Sequence, residues 1–214
     1  MTLVMTRTRQ PARDEARRRI LDAAIGCFAR AGFHGTSMQQ ICTAAEMSPG
    51  GLYRYFPSKD AIIEAIAELE REHNSELMAD LETEGPVLEA LFQTGFAYMR
   101  QVAGTARAAL CAEINAEAHR NSKVREIFER IDKDVRAALR ATLERAREKG
   151  EIDAALDLDL AVLVLMSIGE GLTQRMTFEP TMTTERIDPF LRDIVTRMLR
   201  PRDAGDRTRK VQSL

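Results

Sequence analysis

Apolar residues recur three and four positions apart over most of this 214-residue chain, the period of amphipathic helices rather than of strands. The first such stretch starts near Asp14 and sets Ile20, Ala24, Cys27, Phe28 and Ala31 on one side. Asp14 and Glu15 suit a helix start, and Gly32 is placed to end it. Three start signals then crowd together: Thr36 or Ser37 with Gln39 or Gln40 as a capping box, Ser48 before Pro49, and Ser58 before Lys59 and Asp60. Starts so close together force short helices. The pattern predicts one from Ser37 to Ala45, a turn at Glu46 and Met47, another from Pro49 to Phe56, and a fourth from Lys59. This is a helix-turn-helix with a supporting helix in front of it. The fourth helix carries Ile62, Ile63, Ile66, Leu69, Leu77, Met78 and Leu81 and meets no breaker before Gly85 and Pro86, a length of roughly 35 Å at 1.5 Å per residue.

Beyond Pro86, one stripe runs through Val87, Leu88, Leu91, Phe92, Phe96 and Met99, and a shorter one through Ala106, Leu110, Ile114 and Ala118. A long helix follows, with Val124, Ile127, Phe128, Ile131, Val135, Leu139 and Leu143 on its apolar side and Gly150 as its cap. Leu158 to Ile168 has only Asp159 and Ser167 as polar positions, so it should be buried on more than one side. The last helix is expected to begin with Asp188 as cap and Pro189 as first residue, presenting Phe190, Leu191, Ile194, Val195, Met198 and Leu199 on one face. A chain of this size offers little to bury both segments. They are therefore expected to pair with their copies in a homodimer through Leu160, Leu163, Val164, Ser167, Gly171, Phe190, Ile194 and Met198, as a four-helix interface; the alternative is an internal core helix.

The expected fold is all-α: a basic, flexible arm over 1–13, a helix-turn-helix domain over 14–57, a helical ligand-binding and dimerisation domain over 58–200, and a disordered tail over 201–214. Composition agrees, with 44% apolar residues, three Tyr, eight Phe and no Trp. The net charge of −2 conceals a division at Lys59: residues 1–59 hold nine basic and four acidic side chains, a net +5, which leaves −7 on the remainder. A basic end on an acidic body suits contact with phosphate on one face. Cys27, Cys42 and Cys111 have neither metal-type spacing nor an even number, which argues against a zinc site or a disulfide framework and for a reducing cytoplasm. No apolar run approaches the ~20 residues of a membrane span.

Short helices with exposed starts are what phosphate and base recognition require. Thr36, Ser37 and Ser48 can donate to phosphates at helix N-termini, where Pro49 also stands. Tyr53 and Tyr55 supply hydroxyls at backbone reach, and Lys59 supplies charge. Gln39 and Gln40 have the donor and acceptor pair that reads an adenine edge, and Gly50 with Gly51 removes bulk from one side of the third helix. Each has a plainer role: caps that only cap, a Gln confined to the capping box, a half-buried Tyr55.

These residues resemble the TetR family of repressors. The motif of that family is met by Thr36, Ile41-Cys42, Ala45-Glu46-Met47-Ser48, Gly50, Leu52-Tyr53, Tyr55-Phe56 and Lys59, within a match covering about Asp14 to Ala65. Two positions depart from it. Cys42 replaces a small Ala, and Glu46 stands where the family has a turn Gly, a substitution costing ~1 kcal/mol if that residue is left-handed. The resemblance implies a homodimer on palindromic operator DNA, with C-terminal helices that enclose a small-molecule pocket. It also implies an inducer that shifts the fourth helix, so that the two reading heads no longer fit successive major grooves.

The pocket is expected among the helices from Pro86 to Lys149 and the start of the next, with Phe92, Phe96, Met99, Cys111, Ile114, Phe128 and Met166 as lining and Glu113, Asn115, Glu170 or Thr173 as orienting groups. The inducer is expected to be a small hydrophobic or amphipathic molecule, with no cofactor. An activator, or a regulator answering to a protein partner, has the same composition. A di-iron bundle enzyme needs two Glu-x-x-His motifs, and only Glu70 with His73 supplies one.

Overall fold

The computed structural model describes residues 9–81 and 85–200. They form α1 (Arg9–Gly35), α2 (Met38–Ala44), α3 (Pro49–Tyr53), α4 (Lys59–Ala79), α5 (Val87–Val102), α6 (Ala106–Ala118), α7 (Ser122–Glu148), α8 (Leu158–Phe178) and α9 (Thr184–Leu199), with no strand among the described residues.

Side-chain caps set most helix starts. Ser37 caps α2, Ser48 caps α3 with Pro49 behind it, Thr105 caps α6, Asp157 caps α8 and Thr183 caps α9. Four boundaries differ from the pattern. α1 begins at Arg9, so part of the expected arm is helical, while 1–8 and the tail from 201 lie outside the described residues. α3 stops at Tyr53, because the amides of Tyr55 and Phe56 both turn back to the Leu52 carbonyl. α4 ends at Ala79 in a turn at Asp80 and Leu81. α9 starts four residues before Asp188: the Thr183 hydroxyl accepts from the Arg186 amide, Pro189 falls inside the helix, and Asp188 pairs with Arg192 instead of capping.

Two helix ends share one closing motif. After α7, the Gly150 amide donates to the Arg147 carbonyl and the Glu151 amide to the Ala146 carbonyl, with Gly150 at φ +73°. After α2, the Glu46 amide donates to Thr43 and the Met47 amide to Cys42, with Glu46 at φ +54°. Both are Schellman motifs, and both need a left-handed residue after the cap. Glu46 is the one non-glycine with positive φ among the described residues.

The chain forms two compact units. Of the described residues, the first holds those up to Glu72 together with Thr105–Ile131, and the second those of His73–Gly104 and from Asp132 to Arg200. The division expected at 57/58 is thus drawn elsewhere, because α6 and the start of α7 pack with the helix-turn-helix. In the first unit α1 lies against α2 and α6, around a core of Ile20, Phe28, Ile41, Leu52, Ile62, Ile63, Ile66, Leu110, Ile114 and Val124. Burying each such large side chain stabilises by roughly 1.5–3 kcal/mol. In the second unit α5 packs on α8 and α9, with Leu91, Phe92, Phe96, Met99, Leu143, Val162, Leu191, Val195 and Leu199 inside. No described helix is long and apolar enough to cross a membrane.

Candidate nucleic-acid interface

The turn between α2 and α3 joins two short helices of the first unit, each with a side-chain cap at its N-terminus. At the first, Ser37 and Gln40 form a full capping box: the Gln40 amide donates to the Ser37 hydroxyl oxygen at 3.2 Å, and the Ser37 amide donates to Gln40 Oε1 at 2.6 Å. Gln40 Oε1 also accepts from the Ser37 hydroxyl at 2.9 Å, so the carbonyl half of the adenine-reading pair is engaged inside the chain. Gln39 is exposed on α2, and among the described residues its side chain makes no hydrogen bond. Ser48 accepts the Gly51 amide at 3.2 Å, and Ser48, Pro49 and Gly50 are exposed.

Two of the expected phosphate contacts have a different role. Thr36 is buried, and its hydroxyl donates to the carbonyls of Gly32 at 2.9 Å and Cys27 at 3.2 Å, which ties the end of α1 and removes it from the surface. The Lys59 ammonium donates to the carbonyls of Phe33 at 2.5 Å and Thr36 at 2.7 Å and lies 4.5 Å from the centre of the Phe33 ring. It clips the start of α4 to the α1–α2 junction. An ammonium has three donors, so one N–H remains for a phosphate. Tyr53 is 51% exposed, whereas Tyr55 is half-buried against the core.

The two adjacent glycines differ. A Cβ on Gly51 would meet Ser48 Oγ at 3.2 Å and Met47 Cε at 3.5 Å, whereas one on Gly50 would meet nothing within 4 Å. The chain's own packing accounts for the first glycine and not for the second. Arg54, the exposed C-cap residue of α3, was not among the sequence candidates, although its place between two tyrosines was a signal for it. Arg17, exposed on α1, lies 5.5 Å from the Phe56 ring and adds charge to the same unit.

The expected pocket residues fall in both units. Cys111, Glu113, Ile114, Asn115 and Phe128 belong to the first: Ile114 is core, Phe128 packs on that core, and Asn115 is exposed. Glu113 accepts the Phe33 amide at 2.7 Å, across 80 residues of sequence. Phe92, Phe96, Met99, Met166, Glu170 and Thr173 belong to the second. Phe92 and Phe96 stack at 6.4 Å, and the Arg192 guanidinium sits 4.7 and 5.7 Å from their centres while pairing with Glu89. That hydrogen bond from Arg192 holds the Glu89 carboxyl below its ordinary pKa. Thr173 is buried and donates to the Gly169 carbonyl at 2.7 Å. Glu170 stands near Asp132 and Arg136. Desolvation by surrounding atoms, then the Asp132 charge, raise its pKa against the pull of Arg136, although much of the side chain is accessible in the single chain. A groove of about 430 Å³ in the same unit is bordered by Pro86, Glu89, Gln93, Thr94, Ala97 and Arg100, and by none of the expected residues.

Glu70, the one candidate metal-motif acid, is buried and pairs with Arg107 Nε at 2.7 Å. On α8 and α9 the side chains expected at a subunit contact face outward: Leu160 is 60% and Phe190 69% exposed, with Leu163, Val164, Ser167, Gly171 and Ile194 also open and Met198 half-buried. Phe178, 74% exposed at the end of α8, extends this surface and was not among the candidates.

Two family models cover the same regions: that of bacterial regulatory proteins of the tetR family matches residues 20–66, and that of the BetI-type transcriptional repressor C-terminal domain matches 86–200. The chain belongs to the TetR family. It is a helix-turn-helix transcriptional regulator, and the family is one of regulators rather than enzymes. UidR of Escherichia coli strain K12, an HTH-type transcriptional regulator, is 28% identical over 156 residues, covering 73% of this chain and 79% of that protein. The structure of Salmonella enterica GusR superposes with a TM-score of 0.73 at 35% identity, over 86% of this chain and 95% of that one. Bacillus subtilis FadR, solved in complex with stearoyl-CoA, shares the fold with a TM-score of 0.72 at 20% identity, over 84% of this chain and 97% of that one.

Proposed function

We propose that this TetR-family regulator is a cytoplasmic repressor that binds a palindromic operator as a homodimer and is released by a small apolar or amphipathic effector. The carrying observation is the outward apolar surface of α8 and α9. Six large apolar side chains there, Leu160, Leu163, Val164, Phe178, Phe190 and Ile194, stay exposed in the single chain, and apolar exposure concentrated on two helices marks an interaction surface. Gly169 and Gly171, whose Cβ positions are open, leave room for a second copy to approach closely. Two-fold pairing of these helices presents two copies of the reading unit, which calls for a repeated half-site in the DNA.

In each unit the operator contacts are assigned to Ser37, Gln39, Ser48, Pro49, Gly50 and Tyr53, with Arg54 beside them and the spare Lys59 donor at the backbone. Gln40 contributes through its amide group, and Tyr55 mainly by packing. The effector site is assigned to the second unit, near Phe92, Phe96, Met99, Met166, Glu170 and Thr173, an apolar lining with few polar groups. The stearoyl-CoA bound by FadR supports an amphipathic ligand class on a shared fold.

Selection of bound duplexes from random DNA tests the operator reading, and sedimentation tests the dimer. A two-fold repeated site bound by two chains is expected. A single unrepeated site, or a chain that stays monomeric at micromolar concentration, overturns it. A thermal-shift panel of acyl thioesters, bile acids and aromatic drugs tests the effector: a compound that raises Tm and weakens operator binding is expected.

A further inference from the structure

We propose that Glu113 is a positioning residue for operator binding: through its carboxylate, α6 sets the geometry of the α1–α2 junction on which the reading helices stand. This rests on the helix-turn-helix reading and adds to it a control point outside the motif.

The junction is short and heavily held. α1 breaks at Gly32, φ +71°, and five residues later the Ser37 capping box starts α2. Breaking the helix leaves the Phe33 amide without its intrahelical acceptor, and Glu113 Oε2 takes it at 2.7 Å. The same carboxylate lies 3.3 Å, through Oε1, from where a Cβ on Gly32 would stand, so glycine suits position 32 for its backbone and a side chain there would crowd this approach. One turn further along α6, Glu117 is buried and its Oε2 lies 3.1 Å from His34 Nε2. The Glu113 carboxylate thus holds an amide of the junction, with the Glu117 carboxylate one turn on set beside His34 but out of hydrogen-bond geometry, while Lys59 and Thr36 hold its carbonyls. Charge-assisted bonds to a backbone amide are the strong kind. α6 is capped by Thr105, the residue at which the chain enters this unit after Gly104 at φ +69°, and is tied to α4 by Arg107 and Glu70. A shift of α6 therefore reaches Ser37 through four residues of backbone.

The experiment compares the full-length wild-type protein, Glu113→Ala, Glu113→Gln and a core control, Val124→Ala, by amide hydrogen exchange and by affinity for the selected operator duplex. Val124 is fully buried in the same unit and takes part in none of the junction's hydrogen bonds. In Glu113→Ala, exchange over residues 33–45 is expected to rise at least tenfold more than in the rest of the unit, with operator affinity falling at least fivefold. Glu113→Gln, which keeps an acceptor, is expected within twofold of wild type. Val124→Ala is expected to raise exchange across the unit and to keep its affinity within twofold. If Glu113→Ala does not fold, Glu113→Asp, which withdraws the acceptor by one methylene, is read in its place. Exchange over 33–45 that follows the rest of the unit, or an affinity equal to that of the control, overturns the proposal. A wild-type protein that protects 33–45 but selects no DNA sequence sinks the operator reading, and this role for Glu113 with it.

Discussion

Replacing Glu46 by glycine isolates the strain in the turn between the two reading helices. Glu46 sits at φ +54° after α2, closing it through the bonds from its own amide to Thr43 and from Met47 to Cys42. An L-residue with a Cβ in this region costs about 1–2 kcal/mol. Glycine removes that cost but brings roughly 0.5–1 kcal/mol of extra chain entropy in the unfolded state. The difference favours Glu46→Gly by about 0.5–1 kcal/mol, or about 1–4 °C in Tm for a chain of this size. The molecule contains its own control. Gly150 occupies the same place in the same motif after α7, and a Cβ there would meet nothing within 4 Å, so Gly150→Ala should lose about 1 kcal/mol from backbone strain alone. A third variant, Glu46→Ala, keeps the strain and removes only the carboxylate, which opposes the negative end of α2. Thermal and urea unfolding at one fixed protomer concentration measures all three. The reasoning fails if Glu46→Ala stabilises as much as Glu46→Gly, since charge and not backbone would then be the cause, or if Gly150→Ala leaves the midpoint unchanged.

Gly50→Ala should leave Tm unchanged or slightly raised, because its Cβ meets open space and alanine is the better helix former, while operator affinity falls at least tenfold; equal affinity would show that no DNA backbone comes close there. Lys59→Met should cost about 2 kcal/mol by leaving the Phe33 and Thr36 carbonyls without their charged donor, measured by urea unfolding of the unbound protein; a loss seen only in DNA binding would contradict the clip. Phe190→Glu with Leu160→Glu should convert the dimer to monomers by sedimentation and abolish high-affinity binding to the two-fold site, whereas a variant that still dimerises would place the contact elsewhere. Glu170→Gln should raise Tm at pH 8. The folded-state pKa of Glu170 lies above its unfolded value, so the ionised form opposes folding at high pH, and the advantage of Gln should vanish as pH falls below the unfolded carboxylate value; a gain constant with pH would assign the effect to packing.

Where recognition is local, the sequence alone determined the outcome. A Ser or Thr whose oxygen reaches an amide two or three residues on needs only that short stretch, and so the starts of α2 and α3, the Gly32 break and the Gly150 cap were all legible. The left-handed turn at Glu46 came instead from the resemblance, whose motif has a Gly at that place. The side chains of α8 and α9 were assigned to an outer face because their apolar positions exceed what one chain can cover, a matter of counting rather than of contact. Two local signals also misled. Asp188 with Pro189 read as a helix start, yet the Thr183 cap five residues earlier prevailed, and Pro189 falls in the second turn of the helix that starts there, where it has no amide to donate. Thr36 and Ser37 were equal as caps until packing buried one of them. Tertiary structure alone decided what lies far apart in sequence. Glu113, expected at a ligand, accepts an amide 80 residues away; Glu70, half of a metal motif, pairs with Arg107; and Lys59 turns towards two carbonyls. A charged side chain on an amphipathic helix can take any partner that packing brings within 3 Å, and helical periodicity specifies which side it leaves from but not which helix it meets.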